Sequence, residues 1–283
     1  MPEPDGPDTG LDTDPAPDAG AANGGSSPAR RPVIEKHRAD KRIIIPKGHA
    51  RGEEMTRGQG VVYKLTWGLA FSLGHSYFRV TVEGRDNVPS TGPFILAPVH
   101  RSNLDTPVVA LATNRRLRFM GKESMWKKRW SAWYLTAAGG FPVERATADR
   151  SALNACLEVL QRGEPLVLFP EGTRQTGPTI TEMFDGAAWL ACRAQCPIVP
   201  VGIGGSQRAW GKGSAFPKPV RMVLKVGEPL IPPPPTPGGR TARRAVRELT
   251  ETLRSRLQEL FDQAEAEADP ARAAVGAGNP PQT

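Results

Sequence analysis

The chain has 283 residues and a formal charge of +8 at pH 7, because 37 lysines and arginines outnumber 29 aspartates and glutamates. It contains 30 glycines and 29 prolines, which is more than average usage, indicates unstructured segments and, without a glycine period, excludes collagen. Three cysteines, at 156, 192 and 196, are too few and odd in number for a disulfide framework and lack zinc-site spacing. We therefore expect an intracellular protein with an anionic partner.

The first 58 residues are predicted to form a disordered tail, acidic at first and then basic. Residues 1–29 carry six acidic and no basic side chains, whereas residues 30–58 carry nine basic and four acidic ones. Apolar residues are scarce here, so little surface can be buried to offset the entropy of ordering. The stretch also lacks the basic start and apolar core of a signal peptide, so we expect no export signal.

An apolar segment at residues 61–78 follows the tail. Its leucines and aromatic residues predict a helix of about five turns. Because a membrane span needs about 20 apolar residues, two interpretations remain: a helix lying in the plane of a membrane, and an ordinary core helix. The basic and aromatic stretch at 115–134 has the same ambiguity between an anionic bilayer surface and a solvated helix with core tryptophans.

Short β-rich runs and helical patterns then alternate, which favours an α/β fold. Strands are predicted at residues 78–83, 94–99, 117–120, 166–169, 198–203 and 220–226. Helices are predicted at residues 104–114, 124–138, 151–162 and 182–194. Several of the strands are continuous apolar runs, as expected for a sheet that is covered on both faces. We expect a single domain at residues 59–230.

The C-terminal part is predicted to contain a linker and one long helix. A proline-rich run makes residues 231–239 an extended linker that cannot lie inside a sheet. Apolar residues then recur every three or four positions, which predicts an amphipathic helix at residues 240–268 that packs on the domain. Residues 269–283 are expected to be disordered.

Two segments carry candidate chemistry. His100 and Asp105 lie five positions apart where a predicted strand ends, so the carboxylate can orient the imidazole ring as a base. No G-x-S-x-G nucleophile is present, so the attacking group would be a substrate hydroxyl. The second segment, FPEGTR at residues 169–174, places Arg174 and backbone donors around Gly172 in a turn that suits a phosphate. Structural roles, namely a bonded strand-end histidine and a solvated surface turn, are the alternatives.

Together these motifs resemble those of the glycerolipid acyltransferases typified by 1-acyl-glycerol-3-phosphate acyltransferase. Four blocks match in order: His100 with Asp105, Lys122-Glu123 with GFPVER at 140–145, FPEGTR at 169–174, and IVPV at 198–201. The resemblance implies one α/β domain of this type, with a mixed sheet covered by helices. Val99, Glu144 and Gln175 stand where the family usually has Asn, Asp and Ser, which leaves the acceptor open.

The resemblance also implies an activity, namely transfer of a fatty acyl group from acyl-CoA or acyl carrier protein to 1-acyl-glycerol 3-phosphate, giving phosphatidate. His100 would be the base and Asp105 would orient it. The acceptor phosphate would be held by residues of the matched blocks, which are Lys122, Arg145, Glu171, Gly172, Thr173 and Arg174. No metal or organic cofactor is implied. The expected partners are the lysophospholipid acceptor, the acyl thioester and the cytoplasmic face of a membrane, on which the protein would be peripheral or monotopic.

Other functions are compatible with the same residues. The acceptor could be glycerol 3-phosphate or another lysophospholipid, and a thioesterase would use water in place of the acceptor hydroxyl. A non-catalytic binder of anionic lipid would need only the basic charge. Nucleic acid is not expected, because the chain has no nucleic-acid-binding motif.

Overall fold

The structure is a computed structural model that describes residues 57–143, 150–235 and 243–271. Most of the predicted tails at residues 1–58 and 269–283, and part of the proline-rich linker, lie outside the described residues, whereas residues 57 and 58 are helical. The apolar segment forms α1, which begins at Arg57 and ends at Ser76. The helix was predicted at residues 61–78, so α1 begins four residues earlier and ends two residues earlier than predicted.

Strands and helices alternate through the rest of the described chain, as the sequence predicts for an α/β protein. The strands are β1 (Thr81–Glu83), β2 (Ile95–Pro98), β3 (Arg118–Lys122), β4 (Gly140–Val143), β5 (Leu166–Val167), β6 (Ile198–Gly204) and β7 (Val223–Val226). The remaining α-helices are α2 (Asp105–Val109), α3 (Arg129–Ala137), α4 (Arg150–Gln161), α5 (Gly186–Ala194), α6 (Ser206–Trp210) and α7 (Arg243–Ala268).

The described strands form one mixed sheet in the order β1-β7-β6-β2-β5-β3-β4. β7 is antiparallel to β6, and every other neighbouring pair is parallel. Strands β2 to β6 therefore run in the same direction, and their carboxyl ends meet at one edge, called the carboxyl edge below. In sheets of this kind the carboxyl edge is where ligands bind.

Helices cover the sheet in two groups. α1 contacts both α2 and α3, while α4, α5 and α7 form a second set that contacts β2 and the strands from β4 to β7. With this strand order, the right-handed crossovers that parallel strands follow as a rule would place α2 and α3 on one face and α4 and α5 on the other. All the side chains of β2 and β6 are buried, as the continuous apolar runs predict, and the mixed sheet covered by helices is confirmed.

Helix α7 lies directly on β6. Gly202 and Gly204 face it, and a Cβ atom at Gly204 would be 2.0 Å from the carbonyl oxygen of Ala264. Leu253, Leu257 and Phe261 of the helix are buried. The absence of side chains at the two glycines allows the helix backbone to approach the strand.

Several predicted boundaries are wrong, and each has a local cause. The predicted helix at 104–114 is α2 followed by a 3-10 turn at Ala110–Ala112. β5 has two residues instead of four, because the chain turns at residues 169–172. β4 and α6 were not predicted: β4 contains both glycine and proline, which are rare in strands, and α6 has only five residues.

Candidate active site

The two central residues meet at the carboxyl edge. His100 follows β2 and Asp105 is the first residue of α2, and Nδ1 of His100 lies 3.0 Å from Oδ2 of Asp105. The His100 side chain is 17% exposed, whereas that of Asp105 is fully buried. A substrate can therefore reach the imidazole ring but not the carboxylate.

The carboxylate of Asp105 is fixed by the backbone. The N–H groups of Arg101 and Ser102 both donate to Oδ2 at 2.6 Å. The neutral His100 ring donates its Nδ1 proton to the same oxygen, so its Nε2 atom keeps a lone pair that can accept a proton. The arrangement provides an oriented general base.

The loop after β5 wraps around His100, because β5 is the neighbour of β2. The rings of Phe169 and His100 stack with their centroids 4.0 Å apart. Oε1 of Glu171 accepts a 2.8 Å hydrogen bond from the backbone N–H of His100, and the N–H of Gln175 donates to the His100 carbonyl at 2.9 Å. The structure thus brings together the two segments that the sequence singles out.

Glu171 was predicted to help hold the acceptor phosphate, but its side chain has other partners. Its side chain is fully buried, and Oε2 pairs with the guanidinium of Arg101, which is also fully buried. The carboxylate has one oxygen on the His100 backbone and the other on Arg101. Glu171 therefore braces the histidine loop and is not available to an acceptor.

Arg101 is the functional residue that sequence reasoning missed. Besides Glu171, its guanidinium donates to the carbonyls of Gly177 at 3.2 Å and Thr179 at 3.4 Å, and it lies 5.0 Å from the centre of the Phe261 ring of α7. It thereby joins the two motifs, the loop after FPEGTR and the C-terminal helix. Its only signal in the sequence is its position directly after His100.

The remaining predicted phosphate ligands lie at the same edge. Gly172, Thr173 and Arg174 are exposed, and Arg174 donates to Oδ1 of Asn103 at 2.7 Å. Gly172 has φ 68°, and the Phe184 ring would lie 2.8 Å from a Cβ atom there, so only glycine fits the turn. Lys122 is the exposed last residue of β3. Arg145 lies outside the described residues.

The described residues offer neither a metal cluster nor a reactive thiol. No group of three His, Cys, Asp or Glu residues among them is placed to bind a metal ion. All three cysteines are buried, and burial raises the pKa of Cys156 and Cys196 to about 12. These two thiols stay protonated at neutral pH, so they are poor nucleophiles.

Helices α1 and α3 pack against each other, and we call their exposed apolar side chains the apolar surface. On α1 four exposed aliphatic residues are spaced four positions apart and form one stripe, beside which Phe71 is also exposed; on α3 the exposed apolar residues are aromatic. The apolar surface consists of Val61, Leu65, Leu69, Phe71, Leu73, Trp130, Trp133 and Tyr134. No helix in the described ranges combines the length and apolar character needed to cross a bilayer.

The basic stretch that precedes α3 is not a single surface. Trp126 is buried, as the core interpretation predicts, while Trp130 is 69% exposed. Arg118 is buried beside Glu164, and Arg116 donates to the Thr136 carbonyl at 3.1 Å. Arg116 and Arg118 therefore connect protein segments. Within the stretch at residues 115–134, only the aromatic residues of α3 belong to the apolar surface.

A histidine oriented by a carboxylate, beside exposed cations at the carboxyl edge of an α/β sheet, is the arrangement that general-base catalysis on an anionic substrate requires. Comparison with known proteins indicates an acyltransferase. The family model described as Acyltransferase matches residues 79–204, which include His100, Asp105 and residues 169–174.

The chain is similar to two bacterial 1-acyl-sn-glycerol-3-phosphate acyltransferases. The protein of Bacillus subtilis is 26% identical over 191 residues, covering 64% of this chain and 87% of the relative. That of Streptococcus pneumoniae is 29% identical over 146 residues, covering 50% of this chain and 51% of the relative.

A solved structure supports the same assignment. The crystal structure of the 1-acyl-sn-glycerophosphate (LPA) acyltransferase, PlsC, from Thermotoga maritima has a TM-score of 0.57 and 27% identity, covering 74% of this chain and 84% of that one. The chain therefore resembles the lysophosphatidate acyltransferases in both sequence and fold.

Proposed function

We propose that this acyltransferase moves a fatty acyl group from a thioester donor, acyl-CoA or acyl carrier protein, to the free hydroxyl of 1-acyl-glycerol 3-phosphate, forming phosphatidate. The observation that carries the proposal is the 3.0 Å contact between His100 and Asp105 at the carboxyl edge, within the residues that the family model matches. The names of the relatives support the acceptor.

The proposed reaction needs one proton transfer in each direction. Nε2 of His100 takes the proton of the acceptor hydroxyl as its oxygen attacks the thioester carbonyl. The carbon–sulfur bond then breaks, and the imidazolium returns the proton to the leaving thiolate. The negative charge of Asp105 stabilises the imidazolium in between, as in other His–Asp pairs. Because the thioester is already activated, positioning of the hydroxyl is the main task, and we propose that neither a metal nor an organic cofactor takes part.

The proposed phosphate site lies beside this base. Lys122 and Arg174 are exposed cations at the carboxyl edge, and Arg174 is joined to the histidine loop through Asn103. A guanidinium can form two parallel hydrogen bonds with a phosphate. The backbone and hydroxyl donors of Gly172 and Thr173 complete the proposed site, and Arg145 is assigned to it from the family resemblance alone.

We further propose that the protein works at the cytoplasmic face of a membrane as a peripheral or monotopic enzyme. Both the lysophospholipid and its product are lipids, so the acceptor is delivered from a bilayer. The stripe on α1 and the tryptophans on α3 form an exposed apolar surface of the kind that inserts into the headgroup region. Replacing Trp130 by serine should weaken sedimentation with anionic vesicles, whereas serine at the 73% exposed Ile231, which follows the bridge between Leu230 and the first residue of β6, should not.

The test of the proposed function is acyl transfer from oleoyl-CoA, palmitoyl-CoA and acyl carrier protein to lysophosphatidate, glycerol 3-phosphate and a neutral lysolipid. Lysophosphatidate should be preferred, His100→Ala should abolish transfer, and Arg174→Gln should raise the KM for the acceptor. Arg254→Gln, an exposed arginine of α7, is the matched control. Preference for the neutral lysolipid would contradict the phosphate site, and hydrolysis that does not depend on acceptor would indicate a thioesterase.

A further inference from the structure

A cavity separate from the residues of the candidate active site lies where helices α4, α5 and α7 begin. Its volume is about 690 Å³, within the range typical of small-molecule sites. Arg150 and Arg243 are the first residues of α4 and α7, and Arg247 lies one turn further along α7. The proposed function makes no use of this cavity.

The charges around the cavity favour an anion. Arg150, Arg243 and Arg247 line it, and no carboxylate in the described part of the chain forms an ion pair with them. The lining includes one described carboxylate, that of Asp185, which accepts a 2.8 Å hydrogen bond from Thr250. The dipole of a helix disfavours a positive charge in its first turn. A bound anion would offset this unfavourable interaction at the three arginines.

The rest of the lining suits a flat ring. Trp189 offers an aromatic face, and Leu153 and Val246 extend the apolar wall. The amide of Asn154 can both donate and accept hydrogen bonds. A ligand that matches all these features carries phosphate groups and a heteroaromatic base, which is the chemistry of a nucleotide.

The cavity is connected to the active site through a short piece of chain. Asp185 lines the cavity, and its neighbour Phe184 packs against Gly172 and donates its N–H to the carbonyl of Pro170 at 2.9 Å. Between these two contact points lies Glu171, which holds the backbone of His100. A donor bound in the cavity therefore lies on the same edge of the sheet as the catalytic histidine.

We propose that this cavity binds the phosphorylated adenosine end of acyl-CoA, with the arginines on its phosphates and Trp189 against its base. The inference rests on the proposed function for the thioester that the nucleotide carries. It assigns coenzyme A as the donor and the three arginines as its phosphate ligands.

Binding of adenosine 3′,5′-bisphosphate, measured by titration calorimetry, tests the site without any acyl transfer. Arg247→Gln should weaken binding about tenfold and Arg150→Gln combined with Arg247→Gln about a hundredfold, because each removes a charged hydrogen bond. Arg256→Gln is the matched control, since Arg256 is an exposed α7 arginine paired with Glu259. Absence of binding to the wild type at millimolar concentration, or equal binding by all variants, would overturn the proposal.

Kinetics separate the cavity from the proposed function. The arginine variants should raise the KM for oleoyl-CoA about as much as they weaken nucleotide binding, with kcat within twofold, because uniform binding is lost. Transfer from acyl-CoA with an unchanged KM would refute the cavity and leave the function standing. Arginine-dependent nucleotide binding by a protein that acylates no acceptor would refute the proposed function and support the nucleotide site. Equally tight binding of inorganic phosphate would refute a nucleotide site.

Discussion

Replacing Asp105 by asparagine removes the negative charge beside His100 while keeping the shape of the side chain. Oδ2 accepts hydrogen bonds from two backbone N–H groups and from His100. An amide nitrogen cannot accept, so the asparagine oxygen must take the Oδ2 position and its nitrogen the Oδ1 position. Oδ1 has no hydrogen-bond partner among the described residues, so the amide nitrogen there lacks an acceptor and lowers stability somewhat, while the contacts at the Oδ2 position keep the ring orientation.

The size of the effect follows from the 3.0 Å separation. Two unit charges at this distance attract by about 5.5 kcal/mol at an effective dielectric constant of about 20. The amide dipole recovers part of this energy, so we expect the barrier to rise by about 3–4 kcal/mol and kcat to fall about 10²- to 10³-fold. The KM for lysophosphatidate should change little, since Asp105 is buried away from the acceptor.

The measurement is kcat at saturating oleoyl-CoA and lysophosphatidate, with unfolding by urea as a check on the fold. Asp86→Asn, at an exposed aspartate before β2, is the matched control. The free energy of unfolding should fall by only about 1–3 kcal/mol, the cost of leaving the buried amide protons of the asparagine without acceptors. An Asp105→Asn enzyme that keeps more than a third of the wild-type kcat would show that the charge does not drive the proton transfer.

Two further predictions concern stability. Arg101→Met leaves the Glu171 carboxylate buried without its partner, so we expect the free energy of unfolding in urea to fall by about 3–5 kcal/mol; adding Glu171→Gln should recover part of it, and strictly additive losses would show that the pair is not coupled. Gly204→Ala forces a methyl group against the Ala264 carbonyl and should cost about 1–3 kcal/mol in thermal unfolding. Gly60→Ala, in open space on α1, should be neutral or stabilising, and equal melting temperatures for the two alanine variants would contradict the close approach of α7.

Features that depend on neighbours in sequence were readily predicted. His100 and Asp105 are five residues apart across one turn, so the end of β2 and the start of α2 suffice to bring them together. The periodicity of apolar residues predicts α7, and apolar runs predict the buried strands β2 and β6. β4 was missed because its glycine and proline hide the strand pattern, although the segment was recognised as a family block.

Contacts between distant segments required the tertiary structure. Arg101 and Glu171 are 70 residues apart, and they meet only because β2 and β5 are neighbours in the sheet. Strand order follows from the crossover connections and the packing of helices on both faces, which no local pattern specifies. The same cause turns Arg118 inward toward Glu164 and brings Phe261 of α7 to the guanidinium of Arg101. The sequence alone therefore determined that His100 and Asp105 meet, whereas the order of the strands in the sheet decided the buried network that holds them.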